Sequence, residues 1–205
     1  MKSSTIVLLV LVIGIAGFVI YSISGGQSNE DYAKSIQKER EDKDAFMKGD
    51  ESPFMDSTEV FIGLKYFPPD LKYRVVAQLE PIESKKVVVL PTSDGKEQKY
   101  LENARATFGL DGVENKLLIL EVMDMGPQRG TLFLAFADET SAQETYGAGR
   151  YLDIKKVPGA TSITLDFNRA YNPYCAYSDA FTCPFPPKEN ILKIAIRAGE
   201  KIYHE

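Results

Sequence analysis

The chain has only one histidine and two cysteines, and this scarcity excludes several kinds of enzyme site. The histidine, His204, lies next to the C-terminus, so Ser-His-Asp and Cys-His arrangements, which need a histidine as base, are nearly excluded. The sequence also lacks a glycine-rich phosphate loop and the GxSxG motif that presents a catalytic serine. Two thiolates with one terminal imidazole make a poor zinc site, and we expect neither a metal nor a cofactor.

Long runs of one charge are also missing. The chain has 24 Lys and Arg against 29 Asp and Glu, and no five like charges follow one another outside a mixed stretch at 38–48. Nucleic acid is therefore not expected as a partner. The apolar fraction of 44% and the charged fraction of 26% are typical of globular proteins. A length of 205 residues leaves room for one compact domain and one appendage.

The appendage is an apolar stretch that begins at Ile6 and ends at Ile23. As a helix it would rise roughly 27 Å, close to the hydrocarbon thickness of a lipid bilayer. Lys2 precedes the stretch and Glu30 with Asp31 follow it, so the positive-inside rule places the domain outside the cytoplasm. We predict that residues 1–28 form a single-pass anchor in the cell membrane. The alternative is a cleaved signal peptide and a secreted or periplasmic domain.

Residues 29–52 form a charged segment that we interpret as a helical tether. Asn29 is a suitable N-cap and Gly49 is placed to end the helix. A mostly solvated helix whose far end docks through Phe46 and Met47 is one interpretation, and a charged spacer is the other. The sparse apolar residues fall near one stripe: Tyr32, Ile36, Phe46 and Met47.

Residues 53–205 change to the period of two that is typical of strands. The dipeptide Asp111-Gly112 predicts a tight hairpin between strands at 104–110 and 117–123. Strands without intervening helices indicate a mainly β extracytoplasmic domain, an antiparallel sandwich or barrel of about eight strands. Apolar residues alternate with polar ones at Tyr73, Val75, Ala77 and Leu79, and further candidate strands lie at 86–90, 131–137, 150–154, 162–167 and 191–197.

The two cysteines, Cys175 and Cys183, are eight positions apart in a proline-rich stretch. Outside the cytoplasm such a pair is expected to form a disulfide, which for so short a loop stabilises a fold by about 2.5 kcal/mol. Two free thiols are the alternative.

Tyrosine, asparagine and arginine are concentrated in two segments of the last third, ETYGAGRYLD and DFNRAYNPYCAY. Tyrosine offers a stacking face with a hydroxyl, asparagine a donor and an acceptor, and arginine a planar fork that suits carboxylate or phosphate. We predict that at least one of Arg150 and Arg169 faces a ligand pocket; the alternative is a hydrogen-bonded plug that organises a long loop. The candidate ligand-binding residues are Glu144, Tyr146, Arg150, Asn168, Arg169, Tyr171, Asn172 and Tyr174.

Carboxylates supply the other chemistry available to the chain. A glycoside hydrolase needs only two carboxyl groups at a suitable separation, which sequence spacing does not reveal. Solvated surface positions are the ordinary alternative. The candidates are Asp138, Glu139, Glu144, Asp153 and Asp166.

Several long motifs resemble those of a bacterial and archaeal family catalogued as domain of unknown function 1684. They are EDKDAF, GLKYFPPD, LPTSDG, ETYGAGRYLD, FNRAYNPYCAY, CPFPPKEN and IRAGEK. The resemblance runs from about residue 40 to about residue 201 and implies kinship without an activity.

Three functions therefore remain open for this domain. A binding module for a small polar, anionic or sugar-like ligand, an envelope glycan included, predicts a concave pocket lined by the tyrosine, asparagine and arginine side chains. An envelope hydrolase predicts two carboxylates converging in a cleft. A structural or interaction domain predicts an exposed apolar patch and a fully bonded cluster.

Overall fold

The computed structural model describes residues 28–55, 60–123 and 126–204, which form one helix and eight strands with short 3-10 turns. The predicted membrane segment at 6–23 lies outside the described residues. Within the described part, no helix is long and apolar enough to cross a membrane. The elements are α1 (Asn29–Met47), β1 (Arg74–Pro81), β2 (Val87–Pro91), β3 (Glu97–Leu110), β4 (Val113–Val122), β5 (Leu132–Phe133), β6 (Ala135–Phe136), β7 (Arg150–Tyr151) and β8 (Ser162–Asp166).

The strands pair antiparallel throughout, which confirms the prediction of a mainly β, antiparallel fold. Six of them form an open sheet in the order β5-β4-β3-β1-β8, and β2 pairs with the first half of β3. β6 and β7 form a separate two-stranded sheet. Over the residues described, the larger sheet is not closed into a barrel.

The β3–β4 hairpin is the longest ladder and turns where the sequence predicts. Asp111 and Gly112 both have positive φ, 51° and 77°, as a tight hairpin turn requires. A register shift between Glu102 and Ala104 bulges β3 and separates the half that pairs with β2 from the half that pairs with β1.

The main core lies on one face of this sheet. Phe108 of β3, Ile119 of β4 and Leu165 of β8 pack there against Phe136 and Phe167 from the irregular second half of the chain. The opposite face of β4 is also covered, because Leu118 and Leu120 form a second cluster with Leu90 and Tyr100.

Helix α1 begins one residue earlier than the sequence predicts. Ser28, rather than Asn29, is the N-cap, and its hydroxyl accepts a hydrogen bond from the Asp31 amide at 3.0 Å. Glu30 and Asp31 lie in the first turn, where the helix dipole favours negative charge.

Helix α1 has an exposed face, as the interpretation of a mostly solvated helix expects, and Met47 at its far end is buried, but the helix is also docked near its start and middle rather than at its far end alone. Tyr32, Ile36, Arg40 and Met47 are all buried, whereas Phe46 is 40% exposed. The Tyr32 hydroxyl donates to Asp166 Oδ1 at 2.7 Å, which fixes the first turn of the helix to the end of β8. Spacings of four and seven residues place the buried side chains on one face.

The predicted strand at 191–197 does not form a ladder, although its burial alternates as expected at Leu192, Ile194 and Ile196. Its first half makes two backbone hydrogen bonds to the residues after β6, from the Leu192 amide to the Ala137 carbonyl at 2.8 Å and from the Glu139 amide to the Ile194 carbonyl at 3.0 Å. Ile196 bonds to side chains instead. The Ile196 carbonyl accepts from Arg150 Nη2 at 2.9 Å, and the Ile196 amide donates to Asp138 Oδ1 at 3.3 Å. These two charged side chains therefore bond the backbone of the later part of the segment, beyond its short pairing with 137–139. Two other predicted strands are shorter than expected. The candidate at 131–137 splits into β5 and β6, and the candidate at 150–154 keeps only β7.

Candidate functional site

A cavity of about 730 Å³ lies between α1, the start of β3, and the irregular segment at 168–184. Its volume is in the range of pockets that take small molecules. Charged and aromatic side chains dominate the walls. The charged ones are Glu39, Arg40, Lys43, Asp153, Arg169 and Glu200, and the aromatic ones are Phe46, Tyr66, Tyr100, Phe133, Tyr151, Tyr171, Tyr174 and Phe181.

The floor of the cavity contains a chain of aromatic contacts. Tyr100 stacks on Phe133 with ring centroids 4.9 Å apart, and Phe133 meets Tyr151 edge to face at 4.9 Å. Tyr151 meets Tyr171 edge to face at 6.1 Å. The hydroxyls at this end are used, because Tyr151 donates to the Pro184 carbonyl at 2.6 Å and Tyr171 donates to Asp153 at 2.8 Å. Burial raises the pKa of both phenols well above the ordinary range, so both stay protonated donors.

Helix α1 supplies the basic wall. Arg40 Nη1 donates to the Phe67 carbonyl at 2.9 Å, and its guanidinium lies 4.4 Å from the centroid of the Tyr66 ring. Lys43 Nζ lies 4.5 Å from the centroid of the Tyr171 ring and 2.5 Å from Glu200 Oε1. The wall is thus held by cation–π and ion-pair contacts to loops far away in sequence.

Glu200 is the buried anchor of this wall, with 1% of its surface exposed. Its other oxygen, Oε2, accepts from the Asn172 amide at 2.9 Å and from the Tyr177 hydroxyl. Gly199 sets its position: φ is +73°, and a Cβ there would lie 2.4 Å from the Ala170 carbonyl oxygen. Only glycine fits so close an approach, which explains the Ala-Gly-Glu sequence at this point.

Arg169 lies at the outer rim of the cavity and forms a bidentate salt bridge with Glu39 of α1. Its Nε and Nη2 donate to the two carboxylate oxygens at 2.8 and 2.6 Å, and both side chains are about half exposed. The hydrogen bonds to Glu39 are the main reason why the pKa of the Arg169 guanidinium is raised.

Four of the eight predicted ligand-binding residues line the cavity: Asn168, Arg169, Tyr171 and Tyr174. Asn168 is buried, and its side chain holds the backbone of Asp70. Its Nδ2 donates to the Asp70 carbonyl at 2.8 Å, and its Oδ1 accepts from the Asp70 amide at 2.9 Å. Tyr174 is exposed and meets Phe181 edge to face at 5.2 Å.

The other four lie outside the cavity wall. Glu144 pairs with Arg197 at 2.8 Å, Tyr146 packs beside Cys175, and the Asn172 backbone holds Glu200. Arg150 has a structural role, which is the alternative stated for the arginines. It is 1% exposed and donates to Asp138 Oδ2 at 2.8 Å.

Three backbone carbonyls complete the bonding of Arg150. The carbonyls of Ile196, Ala198 and Glu200 accept from its two terminal nitrogens. Asp138 Oδ1 accepts from the Thr140 amide and hydroxyl at 2.8 and 2.6 Å. Burial lowers the pKa of Arg150, and the neighbouring carboxylate of Asp138 opposes that change. This cluster thus ties the C-terminal segment to β7.

The predicted disulfide is absent, because Cys175 and Cys183 are both free thiols. They are hydrogen-bonded neighbours: the Cys175 amide donates to Cys183 Sγ at 3.3 Å, and the Tyr146 hydroxyl lies 3.8 Å from Cys175 Sγ. The hydrogen bond from the Cys183 thiol, assisted by Tyr146, lowers the pKa of Cys175 to about 6. The shared proton in turn raises the pKa of Cys183.

Of the five carboxylates considered for catalysis, only Asp153 lines the cavity, among the residues described. Asp138 is paired with Arg150, and Asp166 accepts from Tyr32. Glu139 is exposed, and Glu144 pairs with Arg197. In the described part of the chain, no three histidine, cysteine or acidic side chains converge on a point that could hold a metal ion.

Sequence reasoning missed the contribution of α1 and of Glu200. One signal was available: Ile36, Arg40, Lys43 and Met47 follow one another at spacings of four, three and four, so two cations share the apolar stripe of the helix. Cations on such a stripe must find buried partners. The position of Glu200 carried no comparable signal.

Fold and cavity together define a class of small β-rich proteins. An open antiparallel sheet is covered by the irregular second half of the chain, and this half and one docked helix enclose a charged, aromatic pocket. Residues 59–201 match the family described as "Protein of unknown function (DUF1684)", and the chain belongs to it.

One solved relative is an uncharacterised protein of Haloarcula marismortui, determined by solution NMR. It is 39% identical, the match covers 85% of this chain and 97% of that chain, and the TM-score is 0.62. This match spans more of the chain than residues 59–201 do, so the similarity extends beyond the family region. A comparison with proteins of curated function finds no match.

Proposed function

We propose that this protein is a binding module for a small polar ligand of sugar-like character, which it holds in the cavity between α1 and the segment at 168–184. The observation that carries the proposal is the position of the exposed aromatic side chains. Among the described residues, three large aromatic side chains are exposed, Phe46, Tyr174 and Phe181, and all three line this cavity. Exposed rings cost free energy in water, so their gathering at one polar pocket favours a ligand that covers them.

The chemistry of the walls fits a ligand with both apolar faces and polar edges. Aromatic rings provide flat surfaces for the C–H faces of a sugar ring, and charged groups at the rim accept and donate hydrogen bonds to its hydroxyls. Asp153, Glu39 and Arg169 supply both kinds of group at the rim. The carboxylates of the cavity are each paired with a cation or hydroxyl, and this favours binding over hydrolysis.

We further propose, from the sequence of residues 1–28, that the module works at the outer face of a cell membrane, where an envelope glycan is within reach.

Binding of neutral sugars and sugar acids tests this function. Glucose, galactose, N-acetylglucosamine and glucuronate are titrated into the purified protein by calorimetry. We expect at least one to bind saturably, and Tyr174→Ala to weaken that binding by about tenfold, as the loss of one aromatic contact would. Ile191→Ala is the control, since Ile191 is 58% exposed and lies outside the cavity. Binding that is unchanged in Tyr174→Ala would place the ligand elsewhere, and no binding by any of the four would count against the proposal.

A further inference from the structure

Arg40 carries hydrogen-bond donors that nothing uses. Its side chain is 9% exposed, and Nη1 is satisfied by the Phe67 carbonyl. Its Nε and Nη2 atoms are closed to water and have no hydrogen-bond partner among the described residues. A buried guanidinium that has lost water without gaining an acceptor is unfavourable, so an acceptor that reaches these atoms through a small shift of the neighbouring side chains gains free energy.

The other two cations of the cavity are already neutralised. Lys43 is paired with Glu200, and Arg169 is paired with Glu39. Arg40 has no carboxylate within ion-pair distance in the part of the chain that the structure describes, so its positive charge is uncompensated by contact. The Glu200 oxygens are already occupied by Lys43, the Asn172 amide and Tyr177.

Tyr66 adds a further unused group at the same place. Its ring lies beneath the Arg40 guanidinium, and its hydroxyl is buried without a hydrogen-bond partner among the described residues. Burial raises the pKa of this phenol beyond the ordinary range, so the hydroxyl stays protonated. Arg40 and Tyr66 both line the cavity. Unused N–H groups and an unused O–H therefore belong to two neighbouring residues of one wall.

We infer that Arg40 and Tyr66 form an oxyanion subsite, and that the ligand of the cavity carries a carboxylate or phosphate group which this wall binds. This inference rests on the proposed function, which supplies the sugar-like part of the ligand, and it adds that the ligand carries a negative charge. The planar edge of a guanidinium matches two oxygens of a carboxylate or phosphate, and a charge-assisted bond of this kind is stronger than one to a neutral hydroxyl. The Tyr66 hydroxyl supplies the third donor.

The side-chain Nε–Hε resonance of Arg40 provides a direct test on the full-length protein. Sodium acetate and inorganic phosphate are titrated separately at constant ionic strength, and the arginine Nε–Hε signals are followed by NMR. We expect a saturable shift of the Arg40 signal with at least one of the two anions, and which of them binds more tightly identifies the group. Arg197 is the control, because it is exposed and paired with Glu144. Its signal should show no saturation.

Two variants separate this subsite from the proposed function. Glucuronate should bind more tightly than glucose, and Arg40→Gln should remove that difference by lowering glucuronate affinity about tenfold or more. Tyr66→Phe should lower it less, since one neutral donor is lost, and it keeps the packing of the ring. If the Arg40 signal does not saturate with either anion, or if glucose and glucuronate bind equally to the parent protein, the subsite is overturned. Binding of glucose that still depends on Tyr174 would then leave the proposed function standing alone.

Discussion

Two buried arginines, Arg150 and Arg40, show how differently the same side chain is used in two parts of this molecule. Arg150 lies in the cluster that holds the C-terminal segment, where Asp138 and three carbonyls accept its hydrogen bonds. Arg40 lies on the cavity wall, where one carbonyl accepts from it and its Nε and Nη2 atoms have no acceptor among the described residues. The first region is complete as it stands, while the second, under the oxyanion subsite proposed above, gains bonds when an anionic ligand arrives. Unsatisfied donors, rather than the presence of arginine, distinguish a binding wall from a scaffold.

The largest expected effect comes from replacing each of these arginines by methionine, which has a similar shape without the charge. Arg150→Met should lower the free energy of unfolding by about 3–5 kcal/mol, because it leaves the Asp138 carboxylate buried without its partner. Arg40→Met should cost about 1 kcal/mol or less, since it removes one hydrogen bond together with two unsatisfied donors. Urea denaturation of the two purified variants compares them directly. Equal losses would show that both arginines are scaffold.

The next effect concerns the docking of α1, which forms one wall of the cavity. Ile36 is 1% exposed and Phe46 is 40% exposed, although both belong to the apolar residues of the helix. Ile36→Ala should destabilise the protein by about 2–5 kcal/mol through loss of buried surface and the void left behind. Phe46→Ala should change stability by about 0.5 kcal/mol or less and affect only ligand binding. A larger loss of stability at Phe46 would restore the picture of a helix held at its far end.

A smaller effect, about one pH unit, is expected at the thiols beside the cavity. Because the pKa of Cys175 is lowered to about 6, its thiolate forms as pH rises through 6, and alkylation by iodoacetamide should reach half its maximal rate there. Tyr146→Phe removes a hydrogen bond to the thiolate and should move that midpoint upward by about one unit. Mass spectrometry after labelling at pH 5 to 9 measures the midpoint. Thiols that resist the reagent throughout this range until reduced would instead indicate a disulfide.

The lowered pKa of Cys175 also makes the stability of the fold depend on pH. A thiol whose pKa is lower in the folded state than in the unfolded chain stabilises the fold once it is ionised. Its contribution is present above the unfolded pKa of about 8.5 and is lost as pH falls toward 6.

The smallest effect separates two exposed ion pairs of similar geometry. Arg169 with Glu39 and Arg197 with Glu144 are both exposed and both within 2.8 Å. Arg169→Ala and Arg197→Ala should each change the free energy of unfolding by about 1 kcal/mol or less. Only Arg169→Ala should weaken ligand binding, because only Arg169 lines the cavity. Loss of binding in both variants would argue against a localised site.

The sheet could be predicted from sequence because it depends on local signals. The Asp111-Gly112 turn and the alternation around Ala77 fix a hairpin and a buried face without any knowledge of distant residues. The segment at 191–197 shows the limit of such reasoning. Its alternation is real, but its backbone pairs only briefly with 137–139 and then bonds to the side chains of Asp138 and Arg150, which no local pattern predicts.

Half of the candidate site was found for a similar reason. The motif at 166–177, with three tyrosines, two asparagines and one arginine, marks one wall by its composition, and Arg169, Tyr171 and Tyr174 lie there. Arg150 has the same type of neighbours in sequence but is buried away from the cavity, because the fold brings it to its partner Asp138. The opposite wall comes from α1, whose charged sequence reads as solvated until the positions of Arg40 and Lys43 are known.

The order in which a ribosome makes this chain gives the docking of α1 a further meaning. The helix leaves the ribosome before its partners Asp166, Arg169 and Glu200, which lie 134, 130 and 157 positions from their contacts in the helix. Contacts of such long range require closure of nearly the whole chain and form slowly. The cavity can therefore be completed only after residue 200 has left the ribosome, and a nascent chain that stops before it lacks Glu200, the anchor of the basic wall.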